Sequence, residues 1–329
     1  MNLKNISKKL SKSEAIAIQN EIIIDKCKSL HNFVKYAFPI IEPNTEFQDN
    51  WHIEAICQYL EAVLKGDIRN LIINIPPRHM KSLLVNVLFP AWVWTFAPEK
   101  KFLFSSYAQD LANRDSTLCR KLILSEWYQS KWNIQLMQDQ NRMDKFTNTS
   151  GGYRISVGVG GAATGEGGDY IIVDDPLKAQ EANSEIARNN ANNWWDNTMS
   201  TRGNNPKTVA KIVIMQRLHE DDLTGHLLEG QEHYEHLCLP AEFDGIRFVS
   251  SIGFVDPRKE EGELLWKNRF GIQEINSLKN QLTESGVAGQ LQQRPAPKEG
   301  FIFHKEWFEK RYTGTDIVAR YISWDTAGS

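Results

Sequence analysis

Four apolar runs set the rhythm of this chain: Leu71-Ile72-Ile73-Asn74-Ile75, Lys101-Phe102-Leu103-Phe104-Ser105-Ser106-Tyr107, Tyr170-Ile171-Ile172-Val173 and Ala210-Lys211-Ile212-Val213-Ile214-Met215. Each has the length and near-continuous hydrophobicity of a strand buried on both faces. Helix-like stretches alternate with them: one opens at Phe47-Gln48-Asp49-Asn50-Trp51-His52 and ends at Gly66, one starts near Lys81, one follows Tyr107, and one begins at Glu220 with acids in its first turn. The alternation predicts an α/β fold, a mainly parallel sheet flanked by helices on both faces. From about Ala241 the pattern weakens. The charged run Asp256 to Glu263 and the helix-like Ile272 to Ser285 suggest a small linker or lid subdomain, after which Gln290 to Pro297 breaks into a connector.

The 329 residues, 41% hydrophobic, suffice for one substantial core plus an appendage. The longest apolar stretch, Leu83 to Trp94, is interrupted by Asn86 and Pro90 and is too short to cross a bilayer, so no membrane span is expected. Lys4, Lys8, Lys9 and Lys12 precede the first acid, Glu14, with no apolar run behind them to form a secretory signal. They fit a partly helical arm over 1–40. The four cysteines are scattered, as expected of reduced thiols in a cytoplasmic protein. A net charge of −3 neither supports nor excludes nucleic acid, since a basic groove can coexist with an acidic remainder.

The candidate chemistry sits at the ends of the runs. The first passes through Pro76-Pro77-Arg78-His79-Met80 into Lys81-Ser82, and a Lys-Ser pair where a strand turns into a helix is how nucleotide phosphates and their Mg²⁺ are held. Ile75 and Met80 stand where the usual G-x-x-x-x-G-K-[ST] loop has glycines, so a plain strand-turn-helix is an alternative. The third run delivers Asp174-Asp175-Pro176 at its C-terminal edge, 93 positions beyond Lys81, which suits a magnesium site in an open sheet. Because Pro76 and Pro77 have no N–H, the loop's donors must come from Arg78, His79, Met80 and the helix N-terminus. Lys81 is then expected at the β- and γ-phosphates of a nucleotide, and Ser82 and Asp174 at Mg²⁺. Asp175-Pro176 otherwise reads as a strand-terminating turn. His219 and His226, seven apart, read as helix-face residues rather than a metal pair, and the irregular Gly-rich segment 157–168 as a loop near the nucleotide.

Four blocks in order carry a resemblance: Pro76 to Ser82, Ser106-Tyr107-Ala108-Gln109-Asp110-Leu111-Ala112, Thr164 to Pro176, and Met215-Gln216-Arg217-Leu218-His219-Glu220-Asp221-Asp222-Leu223. From about Phe47 onward the chain resembles the tailed-phage terminase large subunit, an ATP-driven motor that packages DNA into proheads. The resemblance implies a phosphate-loop NTPase over 41–240, a lid or linker over 241–317 and, at 318–329, the first strand of an RNase H-like nuclease with Asp325 as its first metal-binding acid. The other carboxylates such a site needs are absent, so no nuclease activity is expected of the chain by itself.

Further roles follow from that resemblance. Asp175 stands where the ATPase class usually has a glutamate that polarises the attacking water. Arg78 is a candidate for stabilising the transferring phosphoryl group, with a structural salt bridge as its alternative. Gln216 and Arg217 are candidate γ-phosphate sensors, Gln48 is a candidate adenine ligand beside Phe47 and Trp51, and Arg202 is either an arginine finger reaching a neighbouring subunit or a surface arginine. The implied partners are double-stranded DNA, a portal protein, the terminase small subunit and further copies in a ring. A helicase-like ATPase and a catalytically inactive prophage remnant remain the other readings.

Overall fold

The computed structural model describes residues 11–161, 165–247 and 250–295. Asp325 and the whole of 318–329 lie outside the described residues. Eight strands form one sheet: β1 (Asn70–Asn74), β2 (Phe102–Ser106), β3 (Leu136–Asn141), β4 (Lys145–Asn148), β5 (Tyr153–Gly158), β6 (Tyr170–Asp174), β7 (Ala210–Met215) and β8 (Glu235–Cys238), in the order β3-β4-β5-β2-β6-β7-β1-β8. From β5 to β8 every pairing is parallel, and β3 and β4 extend the β5 edge as antiparallel strands. The four sequence runs are thus β1, β2, β6 and β7. Between β2 and β6 the chain also builds β3, β4 and β5, and after β7 it adds β8, strands that the sequence pattern did not single out.

Helices α1 (Lys12–Lys26), α2 (Leu30–Ile41), α3 (Trp51–Lys65), α4 (Phe89–Trp94), α5 (Gln109–Leu124), α6 (Glu126–Trp132), α7 (Glu185–Trp194), α8 (Leu223–Glu229) and α9 (Ile272–Gln281) surround the sheet. Strand residues alternate between its two faces. Ile73, Phe104, Ile172 and Ile212 join a core shared with α2, α3, α4 and α5, whereas Ile72, Leu103, Ile171 and Val213 join a second core with Trp194, Trp195 and Leu223. Burial on both faces is why these runs read as continuous rather than alternating. α3 stops at Gly66, whose φ of +85° is a left-handed cap that a Cβ would strain. Among the described residues no helix is long and apolar enough to cross a membrane. Cys27, Cys57 and Cys119 are buried and Cys238 half-buried, all as free thiols.

The helix after Lys81-Ser82 is irregular. Leu83–Leu88 is a π-helical segment in which the Phe89 N–H donates to the Leu84 carbonyl, and α4 continues from it. Pro90 supplies a reason: it has no N–H for the Asn86 carbonyl, and its ring would crowd that carbonyl in a regular helix. Arg154 of β5 takes the carbonyl instead, with Nη2 donating to Asn86 O at 3.2 Å. Residues 241–295 have a small apolar cluster around Ala241, Ile275 and Leu291, while Leu265 and Trp266 join the main core.

Candidate active site

The C-terminal ends of the parallel strands line up on one edge of the sheet, because Asn74 is level with Met215, Ile214 with Asp174, and Asp174 with Ser106. β7 lies between the strand that leads into Lys81 and the strand that carries the acids. Lys81 reaches across this gap: its Nζ is 3.2 Å from Asp174 Oδ1 and 2.5 Å from Asp175 Oδ2, and its side chain is only 8% exposed. Burial pulls the ammonium's pKa down, but the adjacent charges of Asp174 and Asp175 outweigh it, so Lys81 is held protonated above its ordinary range. Asp175 is raised, by burial first and then by the Asp174 charge, against the pull of Lys81. The Gln216 N–H at the end of β7 donates to Asp175 Oδ1 at 3.2 Å, which fixes the second carboxylate from the intervening strand.

The loop between β1 and Lys81 holds left-handed backbone at residues that are not glycine. Arg78 has φ +64° and Met80 φ +66°, left-handed values at non-glycine residues; Asp175 has +43°. Such strain persists only where the surroundings hold it, and it gathers at functional sites. His79 supplies part of the hold. Its ring is buried, with Nδ1 2.9 Å from Pro77 O, stacked on Phe270 at 4.7 Å and edge-on to His52 at 5.8 Å. Burial depresses its pKa to about 4, so the ring is neutral. Among the described residues no acceptor pairs with the N–H groups of Arg78, His79 and Met80. N–H donors without an acceptor, next in sequence to a buried ammonium, are the kind of groups that can take an anion.

Ser82 follows, half-buried, at the start of the helix. Its hydroxyl and the Asp174 and Asp175 carboxylates are hard oxygen donors, the type magnesium selects. Among the described residues there is no group of three or more His, Cys, Asp or Glu side chains fit to hold a metal. One or two carboxylates completed by substrate phosphates is the usual magnesium arrangement, so the donor set fits a cation that arrives with a nucleotide.

Other sequence candidates make contacts of their own or are exposed. Arg78 is exposed, and the salt bridge weighed as its alternative is absent among the described residues. Among the described residues the side-chain Oε1 of Gln216 is buried without a partner. Arg217 is held within the turn before α8: Nε lies 3.0 Å from both oxygens of Asp222, and Nη2 donates to the carbonyls of His219 and Glu220. The acids at 220–222 are not in the first helical turn, as the sequence suggested. They precede α8, and Asp222 caps it by accepting from the Gly225 N–H. Gln48 is exposed in the segment before α3, with no hydrogen bond among the described residues joining it to Lys81 or Asp174. Arg202 donates to the Thr198 carbonyl, His226 pairs with Asp196, and His219 accepts from the Asp221 N–H.

Side chains assigned no role from the sequence stand beside these acids. Asn86 donates to Asp174 Oδ2 at 2.7 Å and to Asp115 Oδ2 at 2.9 Å. Asn74, below the loop, donates to Thr224 and accepts from His236. A polar residue interrupting an apolar run was the available signal in both cases.

No family model matches the sequence, and no curated protein matches it. Among solved structures the chain is similar to the HK97 bacteriophage large terminase, with TM-score 0.47 and 13% identity over 66% of this chain and 44% of that one. It is also similar to the large terminase of a thermophilic bacteriophage, with TM-score 0.46 and 11% identity over 75% of this chain and 56% of that one. The chain spans about half the length of these structures.

Proposed function

We propose that this chain is the ATP-hydrolysing motor part of a phage terminase large subunit, with magnesium as cofactor and double-stranded DNA as the polymer it moves. The observation that carries the reading is the loop itself: N–H groups at Arg78, His79 and Met80 without an acceptor among the described residues, followed by a buried Lys81 held against the paired acids Asp174 and Asp175. Lys81 leaves the carboxylates for the β- and γ-phosphates. Its positive charge then stabilises the charge that develops on the transferred group. Ser82 and Asp174 would hold the cation, and bound magnesium would neutralise phosphate charge. Asp175, kept in place by the Gln216 N–H and raised by burial, accepts a proton from the attacking water. Arg78, exposed on the loop, serves the phosphoryl oxygens, and the unpartnered Gln216 side chain orients the water or senses the γ-phosphate. Packaging partners of this reading are a portal protein, the terminase small subunit and copies of the same chain in a ring, in the host cytoplasm.

The test is magnesium-dependent ATP hydrolysis by the wild type beside Lys81→Ala and Asp174→Ala, with and without double-stranded DNA. Loss in both variants is expected. A wild type that neither hydrolyses ATP nor binds it by calorimetry would support the inactive-remnant reading instead, in which the Lys81 contacts serve folding only.

A further inference from the structure

Asp174 has two oxygens, and two side chains from one helix hold them: Lys81 at Oδ1 and Asn86 at Oδ2. These residues are five apart. At 3.6 residues per turn they would point about 140° away from each other, so a regular helix could not aim both at one carboxylate. The wide turn over Leu83–Leu88 brings them to the same side, and π-type turns of this kind recur at functional sites. Pro90 removes the donor for the Asn86 carbonyl, and Arg154 replaces it from β5. Arg154 is fully buried, with Nη1 on Ser156 Oγ and its guanidinium 4.1 Å from the Phe104 ring.

The amide is held from its other side too. Asn86 Nδ2 also meets Asp115 of α5, whose other oxygen takes Nε and Nη2 of Arg114 at 3.0 and 2.9 Å. Asn86, Asp115 and Asp174 are each buried to within 6% exposure. Between two ionised carboxylates the amide must present Nδ2, because the reverse would set a carbonyl oxygen against both.

We infer that Asn86, oriented by Asp115 and Arg154, is a positioning residue for Asp174: it occupies Oδ2 and leaves Oδ1 as the oxygen offered to a divalent cation once Lys81 turns to phosphate. This rests on the ATP-site reading above. An outer-shell donor that orients a ligating carboxylate typically changes metal affinity about 10- to 100-fold when removed.

Calorimetric titration of ATP at stepped Mn²⁺ concentrations, and in EDTA, separates this role from general damage. For Asn86→Ala, the Mn²⁺ concentration that half-saturates the metal-dependent gain in ATP affinity is expected to rise at least about tenfold. ATP affinity in EDTA is expected to stay within about twofold of wild type. If Asn86→Ala does not fold, by circular dichroism, the pair Asp115→Ala and Asp115→Asn decides: the alanine variant shows the shift, while asparagine, which still offers an acceptor to Asn86, restores the wild-type dependence. Unchanged Mn²⁺ dependence in a folded Asn86→Ala, or equal dependence in both Asp115 variants, overturns the positioning role alone. A wild type that binds ATP under neither condition removes the nucleotide site, and this role with it.

Discussion

Replacing Asp222 with alanine discriminates between two uses of Arg217. The Asp222 side chain is fully buried and accepts from four groups: Arg217 Nε at 3.0 Å on either oxygen, and the N–H groups of Leu218 at 2.9 Å, His219 at 3.3 Å and Gly225 at 3.1 Å. If its only role were to cap α8, alanine would cost about 1 kcal/mol. Removing one member of a buried ion pair costs about 3–5 kcal/mol, because the remaining charge is stranded, and Arg217 is only 11% exposed. The expected loss for Asp222→Ala is therefore about 3–5 kcal/mol in urea unfolding, most of it shared with Arg217. A double-mutant cycle with Arg217→Met should show coupling of about 1.5–3 kcal/mol. A loss of about 1 kcal/mol with additive singles would mean that Arg217 is energetically independent of Asp222, free to serve as a phosphate sensor, and that the structural assignment here is wrong.

Three other outcomes are expected. Gly225→Ala should lower the melting temperature sharply, since a Cβ there would lie 1.7 Å from the Glu220 carbonyl oxygen; a melt indistinguishable from wild type would show that the turn is built differently. At Met80 the usual helix-forming order should invert: glycine at φ +66° avoids about 1–2 kcal/mol of left-handed strain that alanine retains, so Met80→Gly should unfold at higher urea than Met80→Ala. Stability should also fall on mild acidification. Burial depresses His52 to about 3 and His79 and His236 to about 4, against 6.5 in an exposed chain. Each folded pKa is below its unfolded value, so the unfolded chain binds more protons below about pH 6.5. The stabilisation is complete above that value and drains away towards pH 4, at up to about 1.4 kcal/mol per pH unit for each histidine. Melting scans from pH 7.5 to 5 should show this slope, and His236→Gln, which keeps a partner for Asn74, should flatten it; an equal slope in the variant would assign the effect elsewhere.

Local physics made much of this protein legible in its sequence. The four apolar runs are strands because residues buried on both faces of a sheet must be apolar in succession, and Lys81, Ser82, Asp174 and Asp175 stood out because strand ends punctuate those runs. Asn86 and Pro90 also stood out, though only as interruptions of a hydrophobic stretch. What they do for each other, through a π-helical turn and Arg154, required a partner 68 positions away.

Tertiary structure decided the remainder. Placing β7 between β1 and β6 is a property of the sheet order, and it is what brings the Gln216 N–H to Asp175. The edge strand β3 carries mostly polar residues, since an edge needs little continuous burial, and β4 beside it is only four residues long, so neither offers a run to read. Arg217 reads from the sequence as a bare charge, because a sequence shows a charge but not its counter-charge; packing the turn before α8 gave it Asp222. A chain fixes which residues want burial and where its backbone can turn. Which buried polar groups meet across 29, 68 or 93 positions is settled only when the sheet closes and each donor must find its acceptor.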